Sequence, residues 1–556
     1  MPPDARTAAP ATGRGWALPL VVLIAGMFMS VLDTSIVNVA VPTIQNSFGA
    51  TTDEVQWVAT AYTLALGVVV PLSAWLSDRY GATVVYIVSL LAFAGGSALC
   101  GVAWSLESLV AFRIVQAIPG GILPVVTLSI LYRIVPREQL GAAMGLYGLG
   151  IIVAPAVGPT LGGYLVEYVD WRLIFFINVP VGVLGAAAAV AVLPRFGPTR
   201  RARFDVLGFL SIAVALFSLL LALSEGQDWG WTSLPTVGLA CLGVLCLALF
   251  VVIELEVDEP LLNVRVFRYW PFTNSLLIIS VLSVGLFAVL FYVPVYLQQA
   301  QGMGAFEAGF VLLPQALIMA VLMPVAGRLY DRIGPRWPAF AGLLVCAGGT
   351  YLLRGLTAVT SHVEIALLLM LRAAGMGMAM MPVMTGGLAS VPVSEVNSGS
   401  AFNNVVQRTA AALGLAVLTA VVTATQAQML SDRSALVGPD TPVPALGPGR
   451  EGHVLGLYVT YRQTANQSFV EALDNLMVLT TVITLVGAAL ALLLRSGKAP
   501  AAQADPAPAG PGEAARDAPT PSSGPSGNGA ATTGHATADE PGESDDARRD
   551  PVRTQG

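Results

Sequence analysis

Two residues in the apolar part of this chain carry charge where charge is costly: Asp33, in LDTSIVNVAVP, and Arg113, in FRIVQ. At 1.5 Å of rise per helical residue, Asp33 lies about 9 Å inside the outer end of the first apolar stretch and Arg113 about 6 Å inside that of the fourth. Ionisable groups on a spanning helix cost roughly a few kcal/mol or more unless they meet a partner or a water-filled cavity, so two at one level are expected to pair. Burial favours the protonated carboxyl and a nearby guanidinium the ionised one, so water or a bound cation beside Asp33 would tip the balance. That is the chemistry of a proton switch; a static contact between helices is the alternative. Gln116 and Gly120 follow Arg113 at i+3 and i+7 and extend its face as a polar stripe.

The same stretches carry further patterned residues. Arg372 with Gly375 and Ala379 repeats the Arg113 spacing without the glutamine, and either shares that role or only snorkels and pins the bundle. WLSDRYG and GRLYDRIG contain two copies of a D-R-x-G turn: Asp78, Arg79 and Gly81, and, after Gly327, Asp331, Arg332 and Gly334. Each aspartate is expected to latch the two halves of the molecule, with the arginine beside it. In GLGIIVAPAVGPTLGGY, Gly150, Ala154, Gly158 and Gly162 recur every four residues, beside Gly163, and give a smooth strip for close backbone approach; Pro155 and Pro159 each remove a helix donor. Trp57, Tyr62, Phe291, Tyr292, Tyr296 and Gln315 are candidate cavity residues, aromatic faces with polar tips suited to amphipathic ligands. Such rings also populate cores and interfacial belts.

The elements that must hold these residues are membrane helices. Of 556 residues, 55% are hydrophobic and 11% charged, against roughly 25% charged in soluble domains, which excludes a cytosolic enzyme. The net charge of −6 is mostly an acidic tail, since residues 499–556 hold nine acidic and four basic side chains. No basic stripe suits nucleic acid. The only lysine is Lys498, so no P-loop can form; Cys100, Cys241, Cys246 and Cys346 lack CxxC spacing, and the three histidines suggest no metal site. No cofactor is implied, and no readable nucleophile and base mark an enzyme.

Apolar runs of about 20 residues, enough to cross about 30 Å of hydrocarbon, recur fourteen times between residues 18 and 494. The arginine-rich short loops, among them Arg79, Arg133, Arg195, Arg265 and Arg332, fall on one side, which should be cytoplasmic and hold both termini. Asp78 and Asp331, and Arg113 and Arg372, are offset by nearly the same interval, as an internal repeat requires. The expected fold is an all-α integral membrane protein: two pseudo-symmetric six-helix bundles plus an inserted helix pair. The expected segments are a cytoplasmic N-terminus (1–17), a first bundle (18–193), a linker with two extra spans (194–271), a second bundle (272–494) with an outer loop (425–472), and a disordered tail (495–556).

These residues resemble the fourteen-span drug/proton antiporters of the major facilitator superfamily. LDTSIVNVAVP, WVATAYTLA, RIVQA, APAVGPTLGGY, WRLIFFINVPVG, FDVLG, VPVYLQQAQG and LLPQ match its signatures in order, and the resemblance covers nearly everything from Leu32 to Leu494. The first D-R-x-G turn departs from the pattern at Ala74, Ala82 and Thr83, and SAFNNVVQRTAAALG keeps only part of the thirteenth-helix pattern around Arg408. The resemblance implies proton coupling at Asp33 and Arg113. The expectation is a bacterial inner-membrane exporter that trades protons for lipophilic drugs by alternating access, acting as a monomer in the lipid bilayer. A dedicated exporter of one lipid or self-made metabolite is the runner-up; a non-transporting sensor on the same fold is a third reading.

Overall fold

The computed structural model describes residues 15–198, 204–357, 359–434 and 449–494. Arg200, Arg201, Arg203 and the tail 495–556 lie outside the described residues, as do the side chain of Pro159 and the start of the expected N-terminal segment. Among the described residues every regular element is a helix. The first half comprises α1 (Ala17–Phe48), α2 (Thr52–Val69), α3 (Leu72–Tyr80), α4 (Ala82–Gly101), α5 (Leu106–Ile134), α6 (Leu140–Tyr168), α7 (Leu173–Phe176) and α8 (Asn178–Val192). Two helices follow, α9 (Val206–Trp229) and α10 (Leu234–Glu256). The second half comprises α11 (Trp270–Gln299), α12 (Ala305–Ile333), α13 (Arg336–Leu352), α14 (His362–Ala389), α15 (Val396–Ser434) and α16 (Gly449–Ala491).

Local sequence explains where these helices begin and bend. Thr51 opens α2 with a reciprocal cap, its backbone N–H donating to Glu54 Oε2 at 2.8 Å, and Ser105 opens α5 in the same way with Ser108. Pro71 cannot donate to the ladder at the α2–α3 junction, where the axis bends by 53°. Gly81 and Gly334, the glycines of the two D-R-x-G turns, have φ of 87° and 80°, a region that favours a residue without Cβ.

Among the described residues twelve helices are long and apolar enough to cross a membrane, thirteen when α2 and α3 are taken as one bent span. α13, with 17 residues and a length of about 26 Å, falls just short and answers to the expected span at 338–357. The outer loop expected at 425–472 is helical over its described parts instead, because α15 has 39 residues and α16 has 43. Both stretches are rich in Ala, Gln, Leu and Arg and free of proline, so the helices continue past the apolar segments that hydropathy marks.

α5 forms the most enclosed wall of the first half, while α10 buries little beyond Thr236, Gly243, Phe250 and Glu254 and packs against α9. α9 in turn rests on α2 and α15. The two halves meet where the D-R-x-G turns lie, α6 against α12 and α14, and α3 and α5 against α15.

Candidate functional site

Asp33 is fully buried and its carboxylate is saturated with donors. Oδ2 pairs with the Arg113 guanidinium, and Oδ1 accepts from Gln116 Nε2 and from Asn178 Nδ2, each at 3.0 Å. Arg113 Nη1 also donates to Gln116 Oε1 at 2.8 Å, its Nε donates to the Val58 carbonyl at 3.2 Å, and its guanidinium lies 3.6 Å from the centre of the Tyr62 ring. Ser97 Oγ accepts from Gln116 at 2.7 Å and from Asn178 at 3.0 Å, and the Cys100 thiol donates to Gln116 Oε1 at 3.4 Å. One ion pair and six uncharged partners, Gln116, Asn178, Ser97, Cys100, the Val58 carbonyl and the Tyr62 ring, thus join α1, α2, α4, α5 and α8.

Glycines make this closeness feasible. A Cβ at Gly96 would stand 2.9 Å from the Gln116 Cα, so α4 can approach α5 only because that position is bare. Ser30 Oγ donates to the Gly120 carbonyl at 2.9 Å and ties α1 to the same helix. Chemically, the cluster is a neutral pair built around one carboxylate. A proton placed on Asp33 would leave Arg113 without its counter-charge, which links protonation to the arrangement of five helices.

Asp33 and Arg113 meet at one level, as expected, while their helices run on past the apolar stretches from which the depths were counted. α1 continues to Phe48, so Asp33 sits about 22 Å from that end, and Arg113 about 10 Å from the start of α5. Thr43, Gln45, Asn46 and Ser47 stay helical beyond the apolar stretch used to mark the end. Ser97, Cys100 and Asn178 were not among the expected residues. Asn178 carried the one available signal, an amide inside the apolar run FFINVPVG, where an unpaired polar group is costly.

At the joined end of the halves, Asp331 accepts from the backbone N–H groups of Gly141 at 2.8 Å and Ala142 at 3.1 Å, in the first turn of α6. Asp78 accepts from the Asn397 side chain in the first turn of α15, and Asn397 in turn accepts from Ser129. Each D-R-x-G aspartate therefore meets the first turn of a helix in the opposite half, Asp331 at free backbone N–H groups that favour an anion and Asp78 at the Asn397 side-chain amide. Gly141 and Gly327 touch backbone to backbone, so closely that a Cβ on either would collide with the other's carbonyl. Gly145 against Pro324, and Tyr132 Oη donating to the Thr385 carbonyl at 3.1 Å, complete the seam. Arg79 and Arg332, expected beside the aspartates in the latch, are exposed instead. Their long charged stems reach water more cheaply than they reach the seam.

The small-residue strip of α6 packs on α1. Cβ atoms at Gly158 and Gly162 would run into Ser35 and Ile36, and Gly150 abuts Ile24 and Met27. Ala154 is buried there, its carbonyl 3.5 Å from Ser35 Oγ, and Pro155 is half-buried. Gly163 faces open space and takes no part in the approach.

The expected aromatic cavity is not assembled. Tyr62 belongs to the Arg113 cluster and is fully buried, whereas Tyr292 and Tyr296 pack into a separate core of the second half with Leu369, Phe469 and Leu476. Tyr292 Oη bonds Thr419 Oγ1 at 2.9 Å and Tyr296 Oη donates to the Thr357 carbonyl. Trp57 and Phe291 are exposed and Gln315 is half-buried. Spacing along a helix does not say which ring faces a cleft and which a neighbouring helix. A cavity of about 340 Å³ lies elsewhere, between Trp16, Gln139, Leu146, Pro324 and Arg328 at the joined end.

Arg372 is buried and pins three helices, its Nε donating to Thr350 Oγ1 at 3.2 Å and its Nη2 to the Gly285 carbonyl. Arg408 is half-buried on α15, within electrostatic reach of Tyr62 and Tyr147. No cluster of His, Cys, Asp and Glu among the described residues is arranged to hold a metal.

A family model described as Major Facilitator Superfamily matches residues 23–415. An uncharacterized MFS-type transporter, YhcA of Bacillus subtilis, is 36% identical over 404 residues, covering 73% of this chain and 76% of its own length. The tetracenomycin C resistance and export protein of Streptomyces glaucescens is 30% identical over 509 residues, 87% of this chain and 93% of its own. Among solved structures, the proton:xylose symporter XylE superposes with a TM-score of 0.54 at 13% identity, covering 87% of this chain and 96% of the other. That last likeness is one of fold.

Proposed function

The chain belongs to the major facilitator superfamily, a family of membrane transporters rather than enzymes, and from that premise we propose that it is a proton-coupled antiporter exporting lipophilic drugs or antibiotics by alternating access. The observation that carries this reading is the Asp33 cluster: a single carboxylate, held mid-helix against Arg113, whose protonation would release an ion pair joining helices of the first half. Asp33 takes the proton, Arg113 and Gln116 sense its charge, and Asn178 and Ser97 orient the pair. The Asp331 and Asp78 contacts latch the arginine-rich end, which the positive-inside rule assigns to the cytoplasm along with both termini. The described conformation is thus the one closed to the cytoplasm, and one copy of the chain suffices for transport.

The export reading draws on the relative that exports tetracenomycin C, which matches most of this chain. The same relative favours, as a second reading, a dedicated exporter of one self-made metabolite. A membrane potential of 100 mV supplies about 2.3 kcal/mol per proton and each pH unit about 1.4 kcal/mol, enough for a roughly hundredfold gradient without nucleotide. The test is uptake of a fluorescent lipophilic dye into inverted vesicles energised by a pH gradient. Accumulation that collapses with a protonophore supports the reading; accumulation indifferent to the gradient overturns the coupling.

A further inference from the structure

We propose that Glu254 is a positioning residue of the cytoplasmic latch: from the inserted helix pair it fixes the turn that presents the start of α15 to Asp78 of the first half. The inference rests on the reading of the Asp78 and Asp331 contacts as that latch, and adds a residue that neither the D-R-x-G turns nor the Asp33 cluster involves. Glu254 is 1% exposed, on a helix whose other residues lie mostly bare. A carboxylate near the end of a spanning helix reaches water cheaply, so one that turns inward is expected to hold something there. Gly208 of α9 gives it room, since a Cβ at that position would stand 3.1 Å from Glu254 Oε1.

What it holds is the turn between α10 and α11. Both Glu254 oxygens accept from the Leu262 backbone N–H, at 3.2 and 3.3 Å. Leu261 and Leu262 are buried, and Phe267 meets the Phe402 ring of α15 with centroids 4.9 Å apart, so the turn lies under the start of that helix. Asn263, the next residue, donates its N–H to Ser398 Oγ at 3.3 Å. Ser398 adjoins Asn397, which donates to Asp78 and accepts from Ser129. A short chain of bonds thus leads from a buried acid of the inserted pair to a contact between the halves. The pair is itself anchored on both: Leu220 and Leu221 of α9 pack with Leu64 of α2 and Ala412 of α15, and Gln227 donates to Thr423 Oγ1 at 3.3 Å. Without an acceptor at position 254 the Leu262 N–H would be buried unpaired, the turn would shift to satisfy it, and Asn397 would lose its register on Asp78.

The test is the rate at which a water-soluble maleimide labels Ala74→Cys in the purified full-length protein, measured against the same protein without that substitution. Ala74 is buried one turn before Asp78 on the same face of α3. Glu254→Leu, which keeps the bulk and removes the acceptor, should raise that rate about fivefold or more, whereas Glu254→Gln, which still accepts from Leu262, should stay within about twofold of the parent. Ser398→Ala should reproduce the rise from the other end of the chain of bonds. As a control, Ala472→Cys, in the separate core of the second half, should stay protected in every variant. Unaltered Ala74→Cys labelling in Glu254→Leu or in Ser398→Ala, equal rises in Glu254→Leu and Glu254→Gln, or a parallel rise at Ala472→Cys overturns the proposal. These rates need neither cargo nor gradient, so a failure of the export reading would appear separately, in the vesicle uptake assay.

Discussion

Asp33 and Arg113 satisfy one another so completely that each is a liability without the other. Replacing Asp33 with Asn leaves a buried guanidinium uncompensated, at a cost of about 3–5 kcal/mol, and a lower thermal unfolding midpoint of the purified protein is the expected result. Asn178 donates to both Asp33 and Ser97. Asn178→Ala takes one of the two donors from Asp33 Oδ1, a hydrogen bond to a charged group, and should cost about 1.5–3 kcal/mol, read in the same melt; an unchanged midpoint would show that the amide is dispensable. The ionised pair and Gln116 were legible in the sequence because charge inside an apolar run demands a partner. Ser97 and Cys100 were not, since small polar side chains are ordinary in membrane helices and only packing gives them their register. The tyrosines misled for the same reason: Tyr62, Tyr292 and Tyr296 look alike on paper, yet one stacks on Arg113 and two fill a distant core.

At the scale of helices, the glycines of α6 and α12 decide how the halves close. Gly141 and Gly327 allow the two backbones to touch where the Asp331 carboxylate meets the first turn of α6, a contact of about 0.3–2 kcal/mol. Gly327→Ala should hold the seam apart and raise the reactivity of a cysteine placed at Ala142 toward a water-soluble maleimide; unaltered labelling would mean the helices close without that approach. The D-R-x-G turns were readable from their repetition, and their positive-φ glycines follow from the sharp helix ends they make. The partners of the aspartates were not readable, because a carboxylate's choice between a neighbouring arginine and a helix start in the other half depends on the assembled bundle. The length of α15 and α16 escaped because hydropathy marks where a helix is greasy, and helix propensity continues where it is not.

Taken as a whole, the molecule is two related bundles whose corresponding aspartates, Asp78 and Asp331, each meet a helix start of the other bundle. Most of the fourteen expected spans were legible because hydrophobic length is a one-dimensional property, and twelve or thirteen helices among the described residues meet it. Which ends of the bundles join was not, because it arises from contacts between residues hundreds of positions apart. A carrier needs its helical core, so deletion of residues 499–556 should leave the initial rate of dye transport within about twofold of the parent, whereas a sensor that signals through that segment would lose its output.

The most direct test of the central claim is proton movement itself. Reconstituted into liposomes holding a pH-sensitive dye, the parent should release protons from the lumen when cargo is added outside, and Asp33→Asn should bind the same cargo while moving no protons. Cargo-driven proton flux of equal size in the two proteins would contradict the assignment of the coupling site.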